Sequence, residues 1–134
     1  MTASFNKIRS LEATDFDARG NVKGAGKKTL VMFYTESCPA CVAFKPVFGA
    51  AAGQLGTVGN FARVRLPPSA ALESKMAGFP FTVRGVPTVA SYDESGRFTG
   101  IYEGARTVDA MRAHLSSSSN TQRPRYLTRS QLKK

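Results

Sequence analysis

The residues best suited to chemistry in this 134-residue chain sit in one tetrapeptide, Cys38-Pro39-Ala40-Cys41, which holds its only two cysteines. Two thiols separated by two residues can close a small disulfide ring when they lie on the first turn of a helix. Free N–H groups and the positive end of the helix dipole favour a thiolate there, and lower the pKa of the more exposed sulfur. The thiolate is the species that attacks a disulfide, so a strand, then C-x-x-C, then a helix is a dithiol/disulfide exchange site. The alternatives are a structural disulfide, an inert thiol pair or zinc. Zinc needs about four ligands, and His114 is the one remaining soft partner in the sequence.

The flanking sequence supplies the elements that must position this pair. Leu30 to Tyr34 is short and almost wholly apolar, as expected of a strand buried on both faces. A helix follows from Cys38 to about Ala52, with Pro46 inside it and a kink expected there. Upstream, Ile8, Leu11 and Phe16 suggest a short strand and a turn of helix, and Gly/Lys-rich residues 19–28 suggest a loop. Downstream, residues 61–66 alternate as a strand, and Ser69 caps a short helix over 69–77 with Leu72 and Met76 on its apolar stripe. Residues 86–92 and 97–102 form strands joined by the turn Asp93-Glu94-Ser95-Gly96. Thr107 caps a last helix that carries Val108, Met111 and Leu115. The order from Leu30 onward is β-α-β-α-β-β-α, a mixed α/β domain with one antiparallel hairpin.

Length and composition fit one domain with its own core, over residues 1–115. The net charge is +10, from 19 Lys and Arg against 9 Asp and Glu. Half of the excess lies in residues 116–134, which open Ser116-Ser117-Ser118-Ser119-Asn120, carry Arg123, Arg125, Arg129, Lys133 and Lys134, and have no acidic residue. This reads as a Ser-rich linker and basic tail. It is either a solvated extension or an arm, residues 120–134, that orders on an acidic protein or nucleic acid. Tyr126 is its single aromatic, so base stacking is not suggested. The first residues carry no apolar signal segment and no run reaches membrane-spanning length, so an intracellular, cytoplasmic setting is expected.

Three features stand together: Cys38-Pro39-Ala40-Cys41 with Pro46 beyond it, Val83-Arg84-Gly85-Val86-Pro87-Thr88 about 46 residues past the second cysteine, and the hairpin ending at Gly104 before a terminal helix. With these motifs at these spacings, residues 8–115 resemble the thioredoxin family. The resemblance implies a thioredoxin-like fold, a central mixed sheet flanked by helices, and disulfide exchange of the thioredoxin or protein disulfide isomerase kind on protein substrates. By position, Cys38 would attack and Cys41 would resolve the mixed disulfide. Pro87 would be cis against that pair, and the backbone of Val86 would add a substrate strand, with Ser37 and Pro39 beside it. Neither cofactor nor metal is implied.

The departures from that pattern are specific. Ser37 stands where thioredoxins usually have Trp, Met32 replaces their buried acid, and Val42 replaces a common basic residue. Without that acid Cys41 should be harder to deprotonate, unless Glu36 or water takes its place. These departures and the basic tail support a second reading: a thioredoxin-fold structural or adaptor component anchored by its tail in a larger assembly, such as a large DNA virus particle. The remaining motifs are less pointed. Gly24-Ala25-Gly26-Lys27-Lys28-Thr29 fails the spacing of a phosphate loop. Phe79-Pro80-Phe81 is either core packing or a substrate-facing lip beside Cys38. His114, near the end of the last helix, suits a capping or solvent-facing cation.

Overall fold

The computed structural model describes residues 2–116. The expected linker and basic tail lie outside the described residues beyond Ser116. In chain order the elements are α1 (Thr2–Asn6), β1 (Arg9–Ser10), a 3-10 turn (Ala13–Asp15), β2 (Thr29–Tyr34), α2 (Pro39–Gln54), β3 (Asn60–Arg65), α3 (Ala70–Met76), β4 (Thr88–Tyr92), β5 (Phe98–Ile101) and α4 (Val108–Ser116).

The strands form one sheet in the order β1-β3-β2-β4-β5. β1, β3 and β2 run parallel, while β4 is antiparallel to β2 and β5 to β4. β2 is therefore central, and all six of its residues are buried, as expected for a strand covered on both faces. Its alternation divides the core. Leu30, Met32 and Tyr34 face α1, α2 and α4 in a cluster with Phe5, Cys41, Phe44, Phe48, Met111 and Leu115. Val31 and Phe33 face the other way, with Leu11, Phe16, Ala62, Val64, Leu72 and Tyr92.

Helix α2 buries Cys41, Phe44, Lys45, Phe48 and Gly49, the i, i+3, i+4, i+7, i+8 spacing of one stripe. Two caps anticipated from sequence form: Ser69 Oγ accepts the Leu72 N–H at 3.1 Å, and Thr107 Oγ1 accepts the Ala110 N–H at 3.1 Å. The hairpin turn closes on Asp93, whose Oδ1 accepts from the N–H groups of Ser95 and Arg97, with Gly96 at φ +90°.

Some boundaries differ from the sequence reading. α2 begins at Pro39, with Cys38 as its N-cap, because proline suits the first helical position. β4 begins at Thr88, not Val86, since Pro87 has no N–H to give a ladder. Helix α1 was not anticipated. It lies against α2, where a Cβ on Gly49 would stand 2.7 Å from the Phe5 backbone nitrogen.

Candidate active site

Strand β2 ends at Tyr34, and the loop Thr35-Glu36-Ser37 delivers Cys38 to the start of α2. As N-cap, Cys38 has extended backbone, φ −79° and ψ 117°, and its sulfur accepts the Cys41 N–H at 3.0 Å. Its thiol donates to the Val86 carbonyl at 3.6 Å, which joins the dithiol to the loop before β4. The Val86–Pro87 peptide bond is cis. Both cysteines are free thiols; Cys38 is half-buried and Cys41 is fully buried.

The two sulfurs meet opposite electrostatics. A hydrogen bond from the Cys41 side chain, aided by the N–H groups of Cys41 and Ala40 and by the charge of Arg106, pulls Cys38 below the ordinary thiol range. Burial, reinforced by the hydrogen bond with Cys38, pushes Cys41 up to about 11. Paired titratable groups driven apart in this way take different roles in a reaction.

Ser37 and Pro39 are exposed on either side of Cys38, and Val86 and Pro87 are partly buried. Beside Pro87 opens a groove of about 250 Å³, floored by Phe44 and walled by Thr88, Tyr102 and Arg106. The Arg106 guanidinium sits 5.8 Å above the Phe44 ring. Met32 lies fully buried in the core beneath α2, so no carboxylate reaches Cys41 from that strand.

Glu36, the candidate for proton transfer, is held by two cations. Its carboxylate accepts from Lys45 Nζ at 2.7 Å and has Arg65 at 3.7 Å. The hydrogen bond from Lys45 holds it below the usual carboxylate range. Lys45 and Arg106 are the site residues that the sequence reading missed. The signal for Lys45 was present: it is four residues after Cys41, on the stripe that Phe44 and Phe48 bury.

Other singled-out residues lie elsewhere. Phe79 and Phe81 cover the opposite sheet face, where Phe79 packs 5.0 Å from Phe16, and Phe81 stacks on Phe98 at 4.6 Å and meets Phe33 edge-on at 5.8 Å. They are core packing, not a lip beside Cys38. His114 is not a solvent-facing cation: it shares a 2.8 Å hydrogen bond with Ser91 and packs edge-on against Tyr102, and burial disfavours its charged form. Lys27, in the Gly-rich loop, donates to the Gly56 carbonyl at 2.7 Å. No described helix is long and apolar enough to cross a membrane.

Comparison with known proteins agrees with this geometry. The chain matches the thioredoxin-like domain model over residues 16–118. The J-Trx1 fragment of ERdj5 superposes with a TM-score of 0.62 at 22% identity, over 84% of this chain and 51% of that one. Human ERp44 form I gives 0.64 at 20% identity, over 81% and 28%. The first two thioredoxin domains of Naumovozyma dairenensis Eps1p give 0.55 at 19%, over 71% and 38%. This chain thus spans about half or less of the length of those solved chains. A helix-capping C-x-x-C pair joined to a proline loop, on a β1-β3-β2-β4-β5 sheet and within a match covering most of the chain, makes it a member of the thioredoxin-like domain family.

Proposed function

We propose that this chain is a thiol–disulfide oxidoreductase that exchanges protein disulfides through Cys38 and Cys41. The observation that carries the reading is the contrast between the two sulfurs: one at a helix start, half-exposed and favoured as thiolate, the other one turn inside and held as thiol. In the reducing direction the Cys38 thiolate attacks a substrate disulfide. A Cys38–substrate disulfide forms, the substrate S–S bond breaks, and the first substrate thiolate leaves and takes a proton from water. Cys41 then loses its proton and attacks the Cys38 sulfur, closing the Cys38–Cys41 disulfide and expelling the second substrate thiolate. Two electrons pass from the dithiol to the substrate, and the oxidising direction is the reverse.

Val86 and Pro87 would receive the substrate. Val86 lies outside the β4 ladder and its carbonyl meets the Cys38 thiol, which supports pairing of its backbone with an extended segment beside that sulfur. The exposed Ser37 and Pro39 leave the approach to that sulfur open.

The test is insulin reduction together with redox equilibration against glutathione. The wild type should turn over insulin. Cys38→Ser should abolish turnover, and Cys41→Ser should accumulate a covalent enzyme–substrate disulfide that thiol reductants release. Turnover retained by Cys38→Ser refutes the proposal. A wild-type pair that equilibrates with glutathione yet leaves protein disulfides intact favours the adaptor reading instead.

A further inference from the structure

Lys45 is the one charged side chain in the buried set of the described residues. It stands one helical turn past Cys41 on the same stripe of α2, and its side chain is 11% exposed. Confining an ammonium in this way is costly unless it is compensated. Here Glu36 Oε1 lies at 2.7 Å, and the Tyr34 and Phe5 rings lie 5.1 and 5.5 Å away. This is a built cation site, and the reaction scheme above does not use it.

The charged and titratable groups around Cys41 can be followed element by element. On α2 they are Cys38 and Lys45; in the preceding loop, Glu36. β2 contributes Met32, which is neutral, and the Tyr34 hydroxyl, which accepts from Arg63 at 2.9 Å. On β3, Arg63 also binds the Ile8 carbonyl, and Arg65 faces Glu36. α1 and α4 bring the apolar Phe5 and Met111, and Arg106 sits over Phe44 toward Cys38. Lys45 is the cation whose charge opposes the effect of burial on Cys41.

We propose that Lys45 is a positioning residue for disulfide exchange: its buried ammonium, clamped by Glu36, stabilises the Cys41 thiolate as that thiolate attacks Cys38. The inference rests on the dithiol reading above. The Cys41 proton leaves to solvent, the new Cys38–Cys41 bond replaces the bond to the substrate sulfur, and no further reactant is required. Where a buried carboxylate would take a proton, this site offers a fixed positive charge that lowers the energy of the thiolate. Glu36 is then the clamp and not the base.

The experiment is stopped-flow reaction of the reduced full chain with the chromogenic disulfide dithiobis(nitrobenzoate), followed from about pH 6 to about pH 10. The first aromatic thiolate released reports attack by Cys38, and the second reports attack by Cys41. In Lys45→Met the first release should keep its rate. The second should slow about threefold near neutral pH, with its rising limb moved up by about half a unit. Lys45→Arg should restore the wild-type profile, which a loss of packing alone would not produce. Glu36→Gln keeps an acceptor for Lys45 but removes a negative charge, so it should speed the second release.

A Lys45→Met profile that superimposes on the wild type overturns the proposal. So does a Glu36→Gln variant slowed in the second release, which would assign proton removal to Glu36. If Lys45→Met does not fold, the sign of the Glu36→Gln effect decides. Absence of the first release from the wild type would overturn the dithiol reading, and this inference with it.

Discussion

Replacing Gly49 by Ala sets two effects of comparable size against each other, and the structure decides the sign. Alanine is favoured over glycine inside a helix by about 1 kcal/mol. At this position, however, the new Cβ would stand 2.7 Å from the Phe5 backbone nitrogen and 3.0 Å from the Ser4 carbonyl carbon. Those are main-chain atoms and cannot rotate aside, so relief requires α1 to withdraw. Withdrawal would expose Phe5, now 1% exposed, whose burial contributes about 2 kcal/mol. Overpacking of this kind costs about 1–3 kcal/mol, so with the helix gain subtracted the net change should be a loss of up to about 2 kcal/mol. Gly53, one turn further along α2, is the internal control: a Cβ there meets nothing within 4 Å, so Gly53→Ala should stabilise by about 0.5–1 kcal/mol. Urea unfolding monitored by circular dichroism should place the two variants on opposite sides of the wild type, separated by about 1 M in midpoint. If Gly49→Ala is stabilised as much as Gly53→Ala, α1 does not dock there and the reasoning fails.

Two further outcomes follow from individual side chains. Alkylation of the reduced protein by iodoacetamide should modify Cys38 alone, with a pH midpoint below the value of about 8.5 for a free thiol, while Cys41 stays protected until far more alkaline pH. For stability the signs oppose. Lowered Cys38 gains stability as pH rises toward the unfolded value, whereas raised Cys41 loses it from about pH 8.5 up to about 11. A Cys38 midpoint above that of a free thiol would contradict the site electrostatics. The Tyr92 hydroxyl is buried without a hydrogen-bond partner among the described residues, and burial drives its pKa upward. Tyr92→Phe should therefore stabilise the fold by about 1–3 kcal/mol, read as a raised thermal midpoint. A lowered midpoint would show that the hydroxyl is engaged.

Much of this site could be read from the residues because its determinants are local. A C-x-x-C pair needs only the strand before it and the helix after it, and Leu30–Tyr34 and Val42–Ala52 announce both. Ser69 and Thr107 were legible as caps because a cap reaches only three residues along the chain. The missed features depend on distant partners. Thr2–Asn6 is too short and too weak in intrinsic propensity to be read as a helix; it forms because Phe5 finds the surface around Gly49 and Phe48. The spacing of Lys45 places it on the buried stripe of α2, but its partners Tyr34, Phe5 and Glu36 come from other elements, and the stripe does not name them. Phe79-Pro80-Phe81 was ambiguous because its apolar bulk says that it is buried but not on which sheet face. That is settled by Phe33, Phe98 and Phe16, which come from three separate parts of the chain.

The placement of Phe81 also bears on how the loop before Pro87 can change. The ring is wedged among Phe33, Phe79 and Phe98 on one side of Thr82-Val83-Arg84-Gly85, and Thr88 enters the β4 ladder opposite Phe33 on the other. The two moorings are on a single rigid sheet, close to the same residue. Between them Thr82, Arg84 and Gly85 are exposed, and nothing within 4 Å would obstruct a Cβ on Gly85. The segment behaves as a cassette: its exposed letters can be rewritten while the proline stays seated beside the sulfur. On the function proposed above, new preferences among partners could thus be acquired, in nature or by directed selection, without renegotiating the architecture around the dithiol.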